Sequence, residues 1–215
     1  MKDIAIIYDL DDTLIPTRSI PTSTFQPIFD AIKQANNGTL PVPILEKAFE
    51  DLWRKPIDVV AAAYGFSELM ITAGQSALIN TNYELTLVPF DDIAVVKEMN
   101  CKRFLVTTGV TKLQQAKIDS LFKDGDFDEI IIDDPYQENR LGKQNIFADI
   151  AQRYAVAQAK VWVVGDNPES EIKAGNALGM TTVQILRSGV KRTPDATHTV
   201  NSLHELKTLV NQEYL

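Results

Sequence analysis

Asp9-Leu10-Asp11-Asp12-Thr13 is the stretch of this sequence whose residue types and spacing can do chemistry. Three acids in four residues repel one another and are costly to concentrate without a cation. The stretch follows directly on Ile4-Ala5-Ile6-Ile7-Tyr8, a short apolar run rich in β-branched and aromatic residues that reads as a buried strand. Asp9 and Asp11 therefore stand at the carboxyl end of a strand, the end at which parallel α/β sheets bind ligands. A turn cap would account for Asp11 or Asp12, but it leaves the position of Asp9 unexplained.

The ends of the later apolar runs carry complementary groups. One run ends in Thr107-Thr108-Gly109, another in Asp133-Asp134-Pro135, and a third in Gly165-Asp166-Asn167-Pro168-Glu169-Ser170-Glu171. Lys143 follows in a Leu-Gly-Lys stretch that opens a helix. Adjacent strand ends of a parallel sheet bring Asp9, Asp11, Thr107, Lys143 and Asp166 within reach of one crevice. Asp9 and Asp166 offer hard oxygens suited to Mg²⁺, and the Asp11 carbonyl adds a third ligand. A metal there holds Asp9 ionised against a phosphoryl oxygen, and a carboxylate can attack phosphorus to form an aspartyl-phosphate. The Thr107 hydroxyl, the backbone N–H groups of Thr108 and Gly109, and the Lys143 ammonium can hold the non-bridging oxygens, where transition-state charge develops. Asp11, too near Asp9 to bind the metal in the same way, is placed to protonate the leaving oxygen and then to deprotonate water.

The elements that must position these residues are legible in the pattern. Pro16 to Pro21 reads as an exit loop. From Thr22 to about Thr86 the apolar spacing is helical: Phe25, Ile28, Phe29 and Ile32 share a face, as do Leu45, Ala48, Phe49 and Leu52. Asn36-Asn37-Gly38, Pro56 and Gly65 punctuate three or four helices. From Pro89 onward helices (91–99, 111–122, 143–157, 168–178) alternate with apolar strands (104–107, 129–132, 161–164, 182–186), and a helix over 203–210 closes the chain. That alternation marks a doubly wound parallel sheet. The expected organisation is an α/β core of residues 1–15 and 89–215. A structureless loop of some seventy residues is improbable, so 16–88 is expected to form an inserted helical domain.

The four clusters resemble the motifs of the haloacid dehalogenase-like (HAD) superfamily. Asp9-Leu10-Asp11-Asp12-Thr13 is similar to its first motif, Asp-x-Asp-x-Thr. Thr107-Thr108-Gly109 is similar to the second, Lys143 to the third, and Val164-Gly165-Asp166 with Glu171 to the fourth, in the family's order across the core. The resemblance implies a Rossmann-like core with a helical cap inserted after the first strand. It also implies Mg²⁺, an Asp9 nucleophile, an Asp11 acid/base, and phosphoryl contacts from Thr107 and Lys143. The family's dehalogenases and its phosphonoacetaldehyde branch lack the second aspartate of the first motif, so Asp11 favours phosphoryl transfer. The fourth motif usually ends in aspartate, and Glu171 departs from it; its longer arm reaches the metal through water or not at all. Asn167, Pro168 and two acids in a first helical turn also suit a helix start on their own.

Composition narrows the partners. With 45% apolar residues the 215-residue chain can bury a sizeable core. A net charge of −8 argues against a nucleic-acid partner. No apolar stretch approaches the ~20 residues of a membrane helix, so no membrane partner is expected. One cysteine, Cys101, and the absence of a signal-like start point to the cytoplasm. Arg18, Arg54 and Lys55 in the insertion are candidates to read a second anionic group on a substrate. Thr13 is expected to order its loop by hydrogen bonding, Asp12 to face a turn or solvent, and Trp53 and Trp162 to pack. The expectation is a Mg²⁺-dependent phosphatase, monomeric or homodimeric, acting on a small phosphorylated metabolite. A phosphomutase with the same aspartyl-phosphate chemistry and a non-catalytic phosphate-sensing module are the alternatives.

Overall fold

The computed structural model describes residues 4–213. A six-stranded sheet forms from β1 (Ala5–Tyr8), β2 (Lys102–Thr108), β3 (Glu129–Asp133), β4 (Val161–Gly165), β5 (Thr181–Ile185) and β6 (His198–Val200), in the order β3-β2-β1-β4-β5-β6. All of its pairings are parallel. Side chains alternate across a strand, and β1 is apolar at every position because both its faces are covered. Ile6 and Tyr8 join one apolar cluster, Ala5 and Ile7 the other. Helices α6 (Thr111–Leu121) and α9 (Leu203–Glu213) pack on the first face through Leu113, Ile118, Leu206 and Val210. Helices α7 (Lys143–Arg153) and α8 (Lys173–Ala177) cover the second through Ile146, Phe147, Ile150 and Ala174. This is the expected doubly wound α/β architecture.

Between β1 and β2 the chain forms α1 (Thr22–Asn36), α2 (Val42–Asp51), α3 (Ile57–Tyr64) and α4 (Glu68–Asn80). Asn37 ends α1 in the left-handed region at φ 47°, and Gly65 ends α3 at φ 76°, as helix C-termini commonly do. The Ser67 side chain caps α4 by accepting from the Met70 N–H at 3.3 Å. Helices α1 and α4 lie close because Gly74 has no side chain: a Cβ there would stand 2.9 Å from Ile32. The apolar faces of these helices, with Ile28, Ile32, Phe49 and Met70, join the same cluster as Ile6 and Tyr8 of the sheet.

Several boundaries differ from the sequence reading. The helix expected over 91–99 is one turn, α5 (Val95–Glu98). There Asp92 turns inward to pair with Arg187 and to accept from the Leu203 N–H at 2.8 Å. The helix expected over 168–178 divides into a π turn (Pro168–Ile172) and α8; π turns concentrate at functional sites. Strand β6 is an element that the apolar pattern does not predict. It is three residues long and paired on one side only, and His198 within it stacks on Trp162 with ring centroids 5.6 Å apart.

Candidate active site

Strand β1 lies between β2 and β4, with Tyr8 in register with Leu105 and with Val164. The next residue extends the β4 ladder, Asp9 N–H donating to the Val164 carbonyl at 2.9 Å. The strand order reverses between β1 and β4, and a doubly wound sheet opens its ligand crevice at that point. A cavity of about 940 Å³ opens there. It is lined by Asp9, Asp11, Thr107, Lys143, Asp166 and Glu171, and by Phe25, Trp53 and Arg54 from the helical segment.

Asp9 is buried, and the Lys143 ammonium donates to its Oδ1 at 2.6 Å. The same ammonium also donates to Glu171. Carboxylate oxygens of Asp9, Asp166 and Glu171 lie within 4.8 Å of one another. Burial raises the Asp9 carboxyl well above its ordinary range, and the Glu171 and Asp166 charges add to this against the opposing pull of Lys143. Burial, with Glu171 and Asp12 beside it, pushes Asp166 up to about 7 despite Arg54 and Lys143. Burial alone would depress Lys143, but the Asp9 and Glu171 carboxylates outweigh it and hold the ammonium form. Three carboxylates facing one lysine, with only an Arg54 shared with Asp12 beside Asp166, thus fall short of positive charge, and their all-oxygen donor set fits a hard divalent cation such as Mg²⁺.

Local backbone explains how these groups meet. The β1 exit folds back on itself, with Leu14 N–H and Ile15 N–H both donating to the Leu10 carbonyl and Asp12 at φ 51°. Arg187 fastens this loop, donating to the Thr13 carbonyl at 3.0 and 3.1 Å while pairing with Asp92. Thr13 therefore orders the loop through its carbonyl, not its hydroxyl, which is buried without a hydrogen-bond partner among the described residues. Glu171 enters the site because Gly165 makes room: a Cβ there would stand 2.6 Å from Glu171 Cγ. The π turn holds Glu171 by a bond from Asn167 N–H to its Oε2 at 3.2 Å, while the Asn167 side chain caps the Glu169 N–H at 3.0 Å.

The remaining candidates are distributed as follows. The Asp11 carboxylate accepts from Lys117 and Gln114. The Thr107 hydroxyl is buried at the end of β2 and accepts from Gln114 Nε2. Thr108 Oγ1 donates to Asp133 at 3.2 Å, and the Gly109 N–H donates to the Asp133 carbonyl at 3.3 Å. Asp12 accepts from the Thr17 N–H at 3.0 Å and from Arg54 Nε at 2.9 Å. Arg54 Nη2 also lies 3.6 Å from Asp166. Arg18 pairs with Glu50 and lies over the Trp53 ring, 4.7 Å from its centroid, and is not among the cavity's lining residues. Lys55 lines the cavity and pairs with Asp51. Asp133 pairs with Arg140, and Asp134 accepts from the Thr111 N–H and hydroxyl at 2.8 Å, capping α6. Sequence reasoning missed Gln114 and Lys117. Their three-residue spacing on the helix after Thr107-Thr108-Gly109 was the available signal, since it puts both on one face turned to the strand ends.

A model of the haloacid dehalogenase-like hydrolase family matches residues 5–179. The chain belongs to that family. As a HAD-like hydrolase it is 29% identical over 225 aligned residues to the glyceraldehyde 3-phosphate phosphatase of Methanocaldococcus jannaschii, covering 95% of this chain and 96% of that protein. It is 26% identical to the protein of the same name from Methanopyrus kandleri, covering 85% and 84%. Its fold superposes on the crystal structure of a HAD phosphatase from Thermococcus onnurineus with a TM-score of 0.66, at 18% identity, covering 99% of this chain and all of that one. Among the described residues, no helix is long and apolar enough to cross a membrane.

Proposed function

We propose that this hydrolase is a Mg²⁺-dependent phosphatase that dephosphorylates a small metabolite through an aspartyl-phosphate on Asp9. The observation that carries the reading is the buried Asp9 carboxylate at the end of the central strand, with Lys143 at 2.6 Å and Asp166 and Glu171 beside it. Asp9 and Asp166 would hold the cation, with Glu171 close enough to contribute. When bound, Mg²⁺ neutralises the clustered acids and polarises a phosphoryl oxygen.

The chain's own residues do the rest. Asp9 attacks phosphorus, and the P–O bond to the leaving group breaks. The leaving oxygen takes a proton from the Asp11 carboxylic acid, and the Asp11 carboxylate then takes a proton from the water that cleaves the Asp9–phosphorus bond. Lys143 and the Thr107 hydroxyl offset charge on the non-bridging oxygens. Residues 16–88 act as a cap that screens the reaction from water, with Trp53 and Arg54 toward the leaving group. The names of the two curated relatives make glyceraldehyde 3-phosphate the first substrate to test. A net charge of −8 supports a small-molecule partner over nucleic acid, and the single buried cysteine, Cys101, suits a reducing cytoplasm.

The test is phosphate release from glyceraldehyde 3-phosphate and a panel of phosphorylated metabolites, with Mg²⁺ and with EDTA. Release that EDTA abolishes supports the reading. An absence of release from the whole panel and from p-nitrophenyl phosphate overturns it.

A further inference from the structure

We infer that Lys117 and Gln114 are positioning residues that hold Asp11 for its acid–base work and tie it to the phosphoryl-binding end of β2, an inference that rests on the phosphatase reading above. Lys117 Nζ donates to both Asp11 oxygens, at 2.8 and 2.9 Å, and Gln114 Nε2 donates to Oδ2 at 3.0 Å. The same amide donates to the Thr107 hydroxyl and lies 3.4 Å from the Thr108 carbonyl. One side chain thus joins the acid–base group to the strand end that would hold the phosphoryl oxygens.

The burial pattern argues for positioning over a surface ion pair. Both side chains line the cavity, but that of Lys117 is 5% exposed and that of Asp11 27%. Of the two paired groups the carboxylate is the more open to a substrate, while the cation is held by packing. Gln114 is 1% exposed and can take its place because residue 109 is glycine: a Cβ there would stand 2.9 Å from Gln114 Cγ and Cδ. An exposed pair would spend side-chain entropy for little gain, whereas this one is held by packing on α6.

The step that depends on this placement is the second half-reaction. Water oxygen bonds to phosphorus, the Asp9–phosphorus bond breaks, the water proton passes to Asp11, and inorganic phosphate and the Asp9 carboxylate are regenerated. p-Nitrophenyl phosphate isolates that step, because its leaving group departs without a proton. In Lys117→Met, kcat on this ester is expected to fall roughly 10- to 100-fold. KM should fall with it, leaving kcat/KM within about threefold of wild type, and a burst of nitrophenolate approaching one per protein should precede the slow steady state. Lys117→Arg, which keeps the charge, should recover kcat in part.

An unchanged kcat in a folded Lys117→Met protein, or a fall in kcat with KM unchanged and no burst, overturns the inference. Should Lys117→Met fail to melt cooperatively, Gln114→Met must show the same split, and its absence there overturns the inference equally. Asp11→Asn serves as reference. If it lacks the burst, the acid–base assignment of Asp11 fails; if it shows the burst and Lys117→Met does not, the inference alone fails.

Discussion

Crowding Asp166 against Glu171 and Asp12 in a buried site has a cost that pH should reveal in the metal-free protein. The Asp166 carboxyl is raised from its ordinary 3.8 to about 7, with its side chain 16% exposed. A raised folded-state value means that the native protein keeps a proton that the unfolded chain releases. Between about pH 4 and pH 7 the native state binds more protons, so stability falls as pH rises through that window. The full separation corresponds to roughly 4 kcal/mol. For a domain of this size that is on the order of 10 °C in melting temperature. Asp9, also raised by burial, acts in the same direction. Thermal melts in EDTA from pH 5 to pH 8 should therefore show a falling Tm. Asp166→Asn, which removes the titrating group, should flatten much of the fall. Saturating Mg²⁺ should abolish it, because a ligand that prefers the ionised site stabilises the native state by mass action, about 2.7 kcal/mol at a hundred times its Kd. A Tm in EDTA that rises or stays flat over this range, or an Asp166→Asn profile identical to wild type, would refute the claim that these carboxylates are held short of counter-charge.

Three further substitutions test separate parts of the site. Gly165→Ala places a Cβ against Glu171, which must leave its position; the half-saturating Mg²⁺ concentration for phosphate release should rise severalfold, and an unchanged metal titration would separate Glu171 from the cation site. Lys143→Met leaves Asp9 and Glu171 buried without their shared ammonium, a loss of about 3–5 kcal/mol in urea unfolding without Mg²⁺ together with near-complete loss of turnover; wild-type stability would contradict the buried pair. Arg54→Ala removes the contacts to Asp12 and Asp166 in the cavity lining. Its exposed position predicts a Tm change under about 2 °C but a KM raised severalfold for a phosphorylated metabolite, and an unchanged KM would take Arg54 out of substrate binding.

The fold was legible because its strongest signal is local. Strand β1 is buried on both faces and so reads as an unbroken apolar run, and the helices that follow carry their apolar residues at helical spacing. The acids at the ends of β1 and β4 were legible for a related reason: strand ends are marked by the switch from apolar to polar residues, and adjacent parallel strands bring those ends together. What escaped sequence reading depends on distant partners. Lys117 and Gln114 are polar residues on a helix whose sequence would equally suit an exposed face, and their burial follows from Asp11, about a hundred positions away. Asp92 breaks the helix expected over 91–99 because Arg187 and the start of α9 draw it inward. Strand β6 has too few residues to show alternation, and its support is the neighbouring β5. Glu171 was ambiguous because its suitability for a first helical turn hides the space that Gly165 leaves for it.

The proposed chemistry requires phosphorus to become bonded to the Asp9 side chain. The direct measurement is mass spectrometry of peptides from protein quenched in acid during turnover of a phosphate ester with Mg²⁺, using Asp11→Asn to slow the second half-reaction. The expected result is one phosphoryl group on the peptide containing Asp9, lost when Asp9 is changed to asparagine. Turnover with no phosphoryl group on that peptide, or with an Asp9→Asn protein that keeps the wild-type rate, would contradict it.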